Sequence, residues 1–202
     1  KPGYTADKAK VEAVNNVTGD TADIVETVVY SPETQKLTYT VIDDTTNTTL
    51  EDKKDLASGD SNSEVKPETK ATYDQIVAGY EAKGYELVRK DALPTKFDTD
   101  TTVDQNVTIH LKHKTEVTQE SKKVKHTINY VYKDNNPAEP AFPTVERELE
   151  FTRENTKDLV TNVVTNGQWT PANGTSFGEV VSPTKPGYTA DKAKVEAVNN
   201  VT

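Results

Sequence analysis

The sequence predicts an α+β chain, β-rich and elongated, in which two small domains follow one another. The segment KPGYTADKAKVEAVNNVT occurs at residues 1–18 and again at 185–202, an offset of 185 minus 1, or 184 residues. Such an offset is far longer than the period of about 20 to 50 residues in solenoid repeats, so each period of this tandem array holds one or two whole domains. Only 33% of the residues are hydrophobic and 7% aromatic, which favours two thin domains over one thick core.

The composition of the chain argues against several classes of partner and several kinds of site. The formal net charge is −9, which argues against nucleic acid and anionic lipid as partners because both need a basic surface. No apolar run approaches the roughly 20 residues of a membrane span, so direct membrane insertion is not expected. The chain has no Cys and no Met, which removes disulfides and thiolate metal sites.

Residues 1–33 are interpreted as the tail of a preceding repeat. The β-branched run over 24–30, closed by Ser31-Pro32, predicts a strand that completes a sheet begun upstream. The next domain is predicted over 34–117.

Domain 34–117 shows the one convincing helical pattern of the chain. Residues 37–42 and 49–57 alternate as a β-hairpin. A helix is predicted over 70–83, with Thr72 as its cap, an apolar face at helical spacing and Gly84 as its stop. Strands over 85–87 and 107–111 follow. The resulting order β-β-α-β-β is that of a β-grasp domain, in which a helix packs across a mixed sheet.

Domain 118–202 is predicted to be almost all strand and a divergent copy of the same β-grasp fold. Asn166-Gly167 predicts a hairpin turn with Trp169 on the return strand, and residues 176–181 predict a single helical turn. The last strand of this domain would lie beyond Thr202, so the open edge is expected to fray or to exchange strands with a neighbouring copy, whose 24–30 segment would fill it.

Several segments of the chain carry a resemblance to a known family. They are residues 36–113 with Gly84-Tyr85-Glu86-Leu87, then 127–132, 149–153, 169–171, 182–183 and 187–192. These segments resemble the mucus-binding (Mub/MucBP) repeats of Gram-positive bacterial surface adhesins. The resemblance implies a cell-wall-anchored adhesin on the surface of a Gram-positive bacterium. It also implies repeats of two ubiquitin-like β-grasp domains and mucin glycoproteins as partners. Some family members bind immunoglobulins as well.

Two candidate sites follow from residue chemistry. The aromatic ring of Trp169 beside the amides of Asn166 and Gln168 suits a sugar, although burial of this single tryptophan is the competing interpretation. The three carboxylates listed next share one loop and suggest a structural calcium ion, although Asp and Thr also form side-chain turns there. These carboxylates are Asp98, Asp100 and Asp104.

No catalytic residues are predicted. Carboxylates fall in turns and on the solvent-facing side of strands, and His110 and His113 differ by three positions on one strand, so they point to opposite faces. These residues predict a non-catalytic module that requires no cofactor, and the resemblance implies that this module is an adhesin that binds mucin glycans or mucus glycoproteins. The alternatives are immunoglobulin binding through a sheet edge or face, and a passive spacer.

Overall fold

The computed structural model describes all of residues 1–202, which form two compact units, Lys1–Lys114 and Thr115–Thr202. The chain is mostly β with one short α-helix, which confirms the predicted α+β, β-rich class. The elements of the first unit are β1 Tyr4–Ala6, β2 Tyr30–Pro32, β3 Thr34–Asp43, β4 Thr48–Asp60, α1 Pro67–Glu81, β5 Tyr85–Lys90 and β6 Gln105–His113. Those of the second unit are β7 Thr115–Tyr130, a 3-10 turn Lys133–Asn135, β8 Phe142–Asp158, β9 Val164–Asn166, β10 Thr170–Pro171, β11 Val180–Val181 and β12 Lys194–Val195.

The first unit contains a four-stranded mixed sheet in the order β4-β3-β6-β5. The two central strands, β3 and β6, are parallel, and both outer pairs are antiparallel. The predicted hairpin over 37–57 is confirmed. Its core combines side chains of the sheet, the helix and the loop before β6, and its fully buried members are Leu37, Val41, Ile109 and Leu111.

Helix α1 packs the predicted face onto this sheet, since Tyr73 and Val77 are buried and Ile76 and Tyr80 are partly buried against the core. It begins at Pro67, three residues before the predicted start. Proline suits the first helical position because its fixed φ is already helical and its missing N–H would have no partner there. Thr72 is therefore inside the helix, where its hydroxyl donates to the Glu68 carbonyl at 3.2 Å. After the helix ends, Gly84 has φ +94°.

The predicted strand over 24–30 is not formed. Residues 24–29 are irregular, and only β2 pairs with a neighbour, the short antiparallel strand β1. Asp7 holds the chain just before β2: its N–H donates to the Val29 carbonyl at 2.9 Å, and its Oδ1 accepts from the Val29 N–H at 2.9 Å. The Asp7 side chain thus takes the place of one backbone acceptor, and the pairing of the two strands ends there.

The second unit is built on a long antiparallel hairpin of β7 and β8. In the sequence, residues 145–152 alternate an inward-facing row with an acidic row, which predicts a strand with one solvent-facing side. The structure confirms this in β8: Leu149 and Phe151 are buried, whereas Glu146 and Glu148 are exposed. Phe177 completes the buried cluster with these two side chains, and Val124, Trp169 and Val201 pack at its margin.

Two local predictions in this unit are wrong. Asn166-Gly167 does not turn the chain back, because β9 and β10 both pair with the same edge of β8. Gly167 instead passes so close to β8 that an added Cβ would lie 2.3 Å from the Glu154 carbonyl oxygen. Residues 176–181 form no helical turn, since β11 pairs with β12 and Phe177 bridges Val198.

Candidate functional site

The predicted Trp169 site lies on the edge of the second unit's sheet, between β9 and β10. Asn166 and Gln168 are exposed to solvent, and Trp169 is partly buried against the Leu149 cluster. The guanidinium carbon of Arg153 lies 4.4 Å from the centroid of the indole ring. A sugar stacking on that face would have to compete with the guanidinium, a cation–π contact of about 0.5–2 kcal/mol.

Arg153 is held in place by a small polar cluster. Its Nη2 lies 2.8 Å from Glu120 Oε2, and Asn155 Nδ2 donates to the same oxygen at 2.8 Å. The hydrogen bonds from Asn155 and then Arg153 hold the pKa of Glu120 below its usual range. The Asn155 Oδ1 atom is buried without a hydrogen-bond partner. Sequence analysis missed this cluster. Glu120 lies on β7, whereas Arg153 and Asn155 lie on β8, and the pairing of these two strands brings them together beside Trp169.

The loop of the predicted calcium site uses its carboxylates as turn acceptors. Asp98 Oδ1 accepts from the Asp100 N–H at 3.3 Å, and Asp100 Oδ1 accepts from the Thr102 N–H at 2.9 Å. The Thr102 hydrogen bonds hold the pKa of Asp100 below its usual range. Asp104 is exposed. Among residues 1–202, no three His, Cys, Asp or Glu side chains converge on a possible metal position. Calcium binding at this loop stays a prediction.

Asp43, which is buried, and Glu51, which is partly buried, are arranged as hydrogen-bond acceptors. Burial alone would raise the pKa of Glu51, but hydrogen bonds from the Tyr39 and Tyr80 hydroxyls outweigh it and lower the pKa. Asp43 follows the same pattern, with bonds from Thr46, Thr45 and His113. A general acid needs the opposite arrangement, a raised pKa in a pocket that substrate can enter.

The two histidines of β6 contact different carboxylates. His110 Nδ1 lies 2.7 Å from Asp44 Oδ1, and His113 Nε2 lies 3.0 Å from Asp43 Oδ2. Their opposite orientation on the strand is confirmed, and it leaves each imidazole within hydrogen-bond distance of a different carboxylate.

The first unit carries an open groove of about 530 Å³ that the sequence did not reveal. The end of β4, the start of α1 and the loop at Phe97 form its walls. Phe97 is 3% exposed, and Gly59 lies so close to it that an added Cβ would be 2.4 Å from the ring. The groove is lined by hydroxyl and charged groups, including Ser63, Glu64, Lys66, Glu68, Thr69 and Thr72. Hydroxyls and charges above an aromatic floor suit a polar ligand such as a sugar.

The two small β-rich units, with exposed sheet edges and an open groove, form a repeat whose surfaces are accessible to a partner molecule. No helix of the chain is both long enough and apolar enough to span a membrane. Comparison with known families gives the particular class. Residues 35–113 match the family described as mucin binding domain, and residues 115–202 match the Muc B2-like domain.

Three solved structures are similar to the chain, and the first of them supports this assignment. The crystal structure of Mub-RV is 29% identical with a TM-score of 0.65, and the match covers 82% of this chain and 91% of that one. The type 2 repeat of the mucus binding protein MUB from Lactobacillus reuteri is 29% identical over the same shares, with a TM-score of 0.49. The mucin-binding domain of Spr1345 from Streptococcus pneumoniae is 28% identical over 43% of this chain and 83% of that one, with a TM-score of 0.37. No curated protein matches the sequence. The chain belongs to the mucus-binding repeats.

Proposed function

We propose that this chain is a non-catalytic adhesion module that binds mucin-type glycoproteins outside the cell. The observation that carries the proposal is the pair of family matches, to a mucin binding domain and a Muc B2-like domain, which together extend over 35–113 and 115–202. We further propose that the parent is anchored to the cell wall of a Gram-positive bacterium, as the sequence resemblance implies.

We also propose that the repeat consists of two β-grasp domains, over 34–117 and 118–202, with 1–33 as the tail of a preceding repeat. Support comes from the first unit, where one helix crosses a four-stranded mixed sheet with parallel central strands. The second unit contains no α-helix, so for this domain the proposal rests on the likeness in sequence between the ends of the two domains.

For glycan contact we favour the groove of the first unit, because its rim offers hydroxyl donors and acceptors above the buried Phe97 ring. Trp169, Asn166 and Gln168 form a second candidate contact on the other unit. The individual contacts of such a module are expected to be weak and to be multiplied by tandem copies.

A substitution at the groove tests the first surface. Thr72→Arg places a long side chain at the groove, at an exposed helix position, and should weaken binding to immobilised mucin by roughly tenfold if the groove receives the glycan. Gln75→Arg adds the same charge to an exposed position of the same helix, away from the groove lining, and should leave binding unchanged. Equal binding by both variants would exclude the groove and leave Trp169→Ala as the next variant to measure.

Immunoglobulin binding is the second candidate function, and β7 is the feature that favours it. This strand of 16 residues lies at the edge of its sheet, and an exposed edge can pair with a strand of another protein. Binding of this kind should be competed by antibody fragments and insensitive to changes in the mucin glycans. A passive spacer would bind neither ligand, even as a tandem array.

A further inference from the structure

The same 18-residue segment occurs at both ends of the chain, and a different part of each copy packs against the rest of the protein. In residues 1–18 the covered part is the beginning. Gly3 is buried with φ +73°, and an added Cβ would lie 2.5 Å from Ser61 Oγ. The Tyr4 hydroxyl donates to the Ser61 carbonyl at 3.3 Å and accepts from Asn62 Nδ2 at 3.2 Å. Strand β1 and Asp7 then pair with the segment around β2.

In residues 185–202 the covered part is the end. Val195 pairs with Val180, and the Val198 N–H donates to the Phe177 carbonyl at 2.9 Å. The Val201 N–H donates to the Thr175 carbonyl at 2.9 Å, and its side chain packs against the buried cluster of the second unit.

Each copy exposes part of what the other covers. Val11 and Val17 are 48% and 60% exposed, whereas the corresponding Val195 and Val201 are partly buried. Val14 and the corresponding Val198 are both exposed, at 51% and 45%. Conversely, Gly187 has no atom within 4 Å of an added Cβ, and Tyr188 is 57% exposed. The two sets of contacts use largely different residues of the same segment. Lys185 and Tyr188 are exceptions in the second copy: the Lys185 Nζ donates to the Tyr132 hydroxyl, and the Tyr188 ring lies 5.1 Å from that of Tyr132.

We propose that in a tandem array each copy of this segment makes both sets of contacts at once. Its later part, at Lys194–Val201, stays on the second unit of one period, while its earlier part, at Gly187–Asp191, docks on the Ser61–Asn62 surface of the next period. The partner of each exposed part is thus another copy of this chain. Partial burial of Val11 and Val17, as seen at the corresponding Val195 and Val201, favours the arrangement. The proposal depends on the duplicated segment and is independent of mucin binding.

Hydrogen exchange on a chain of two periods tests this, using residues 1–202 followed by a second copy of 19–202. The Asp191 N–H corresponds to that of Asp7, which donates to the Val29 carbonyl at 2.9 Å. It should exchange at least about tenfold more slowly in two periods than in one, while Val198 N–H keeps its protection. The proposal is overturned if Asp191 gains no protection, or if it gains protection while Val198 loses it, since the segment would then serve one neighbour at a time.

A glycine substitution separates docking from general stabilisation. Gly187→Ala in the shared segment should abolish the added protection at Asp191, because the corresponding Cβ at Gly3 would collide with Ser61 and Thr99. Val198 should be unaffected. Gly174→Ala is the matched control: Gly174 also has positive φ, +111°, but has open space around it. Retention of the Asp191 protection in Gly187→Ala would contradict the proposed contact.

Discussion

Asp43 shows the limit of sequence reasoning at the scale of a residue. The sequence places Asp43 in a Thr-rich turn after a strand. In the structure its Oδ1 accepts a hydrogen bond from the Thr45 N–H at 2.8 Å, as is usual in such turns. Its other contact, with His113, joins residues 70 positions apart and depends on the pairing of β3 with β6. The same is true of Trp169, whose ring was a predicted candidate but whose guanidinium neighbour depends on strand register.

Replacing Asp43 by Asn should destabilise the first unit. Asp43 is 2% exposed and accepts hydrogen bonds from Thr45 and Thr46, so we expect a loss of about 1–3 kcal/mol in the free energy of unfolding at pH 7. Urea denaturation measures the loss. Asp52→Asn, at an exposed position of β4, should change it by less than about 0.5 kcal/mol.

The loss of stability caused by Asp43→Asn should depend on pH. The folded-state pKa of Asp43 lies below its ordinary value of 3.8, so the carboxylate stabilises the fold above that value and loses this effect as the pH falls through the lowered pKa. The difference between Asp43→Asn and the parent chain should therefore shrink below about pH 4. A difference that stays constant from pH 7 to pH 2 would contradict this role of the charge.

At the scale of elements, long periodic segments were predictable and short ones were not. The hairpin of β3 and β4, the face of α1 and the alternation in β8 follow from apolar spacing over many residues. The Asn166-Gly167 turn and the 176–181 turn failed because a few residues carry too little local preference to oppose pairing with β8 or β12. The duplicated segment is the clearest case, since one sequence forms β1 in one copy and β12 in the other.

Gly167→Ala tests the revised course of β9 and β10. An added Cβ would lie 2.3 Å from the Glu154 carbonyl oxygen, and backbone cannot move aside as a side chain can. We expect a loss of about 1–3 kcal/mol in the stability of the second unit, measured by thermal unfolding. Gly178→Ala, with open space at its Cβ and no positive φ, is the control. If both variants lost the same stability, the close passage along β8 would be wrong.

At the scale of the whole molecule, a net charge of −9 and thin apolar cores agree with a polar binding surface repeated along an array. A chain of two periods should bind mucin more tightly than one period, by about ten- to a hundredfold, because the second contact becomes intramolecular. Surface plasmon resonance on a mucin layer compares the two. Equal affinities would indicate that one period cannot bind while its neighbour is bound.

Periodate oxidation of the mucin tests the central claim most directly. Binding of this chain to immobilised mucin is measured before and after the treatment, with immunoglobulin as a parallel ligand. If the repeat binds mucin glycans, oxidation of the sugars should remove most of the mucin binding. Mucin binding that survives oxidation unchanged would contradict glycan recognition. If antibody fragments also compete with this surviving binding, immunoglobulin binding would be the function instead.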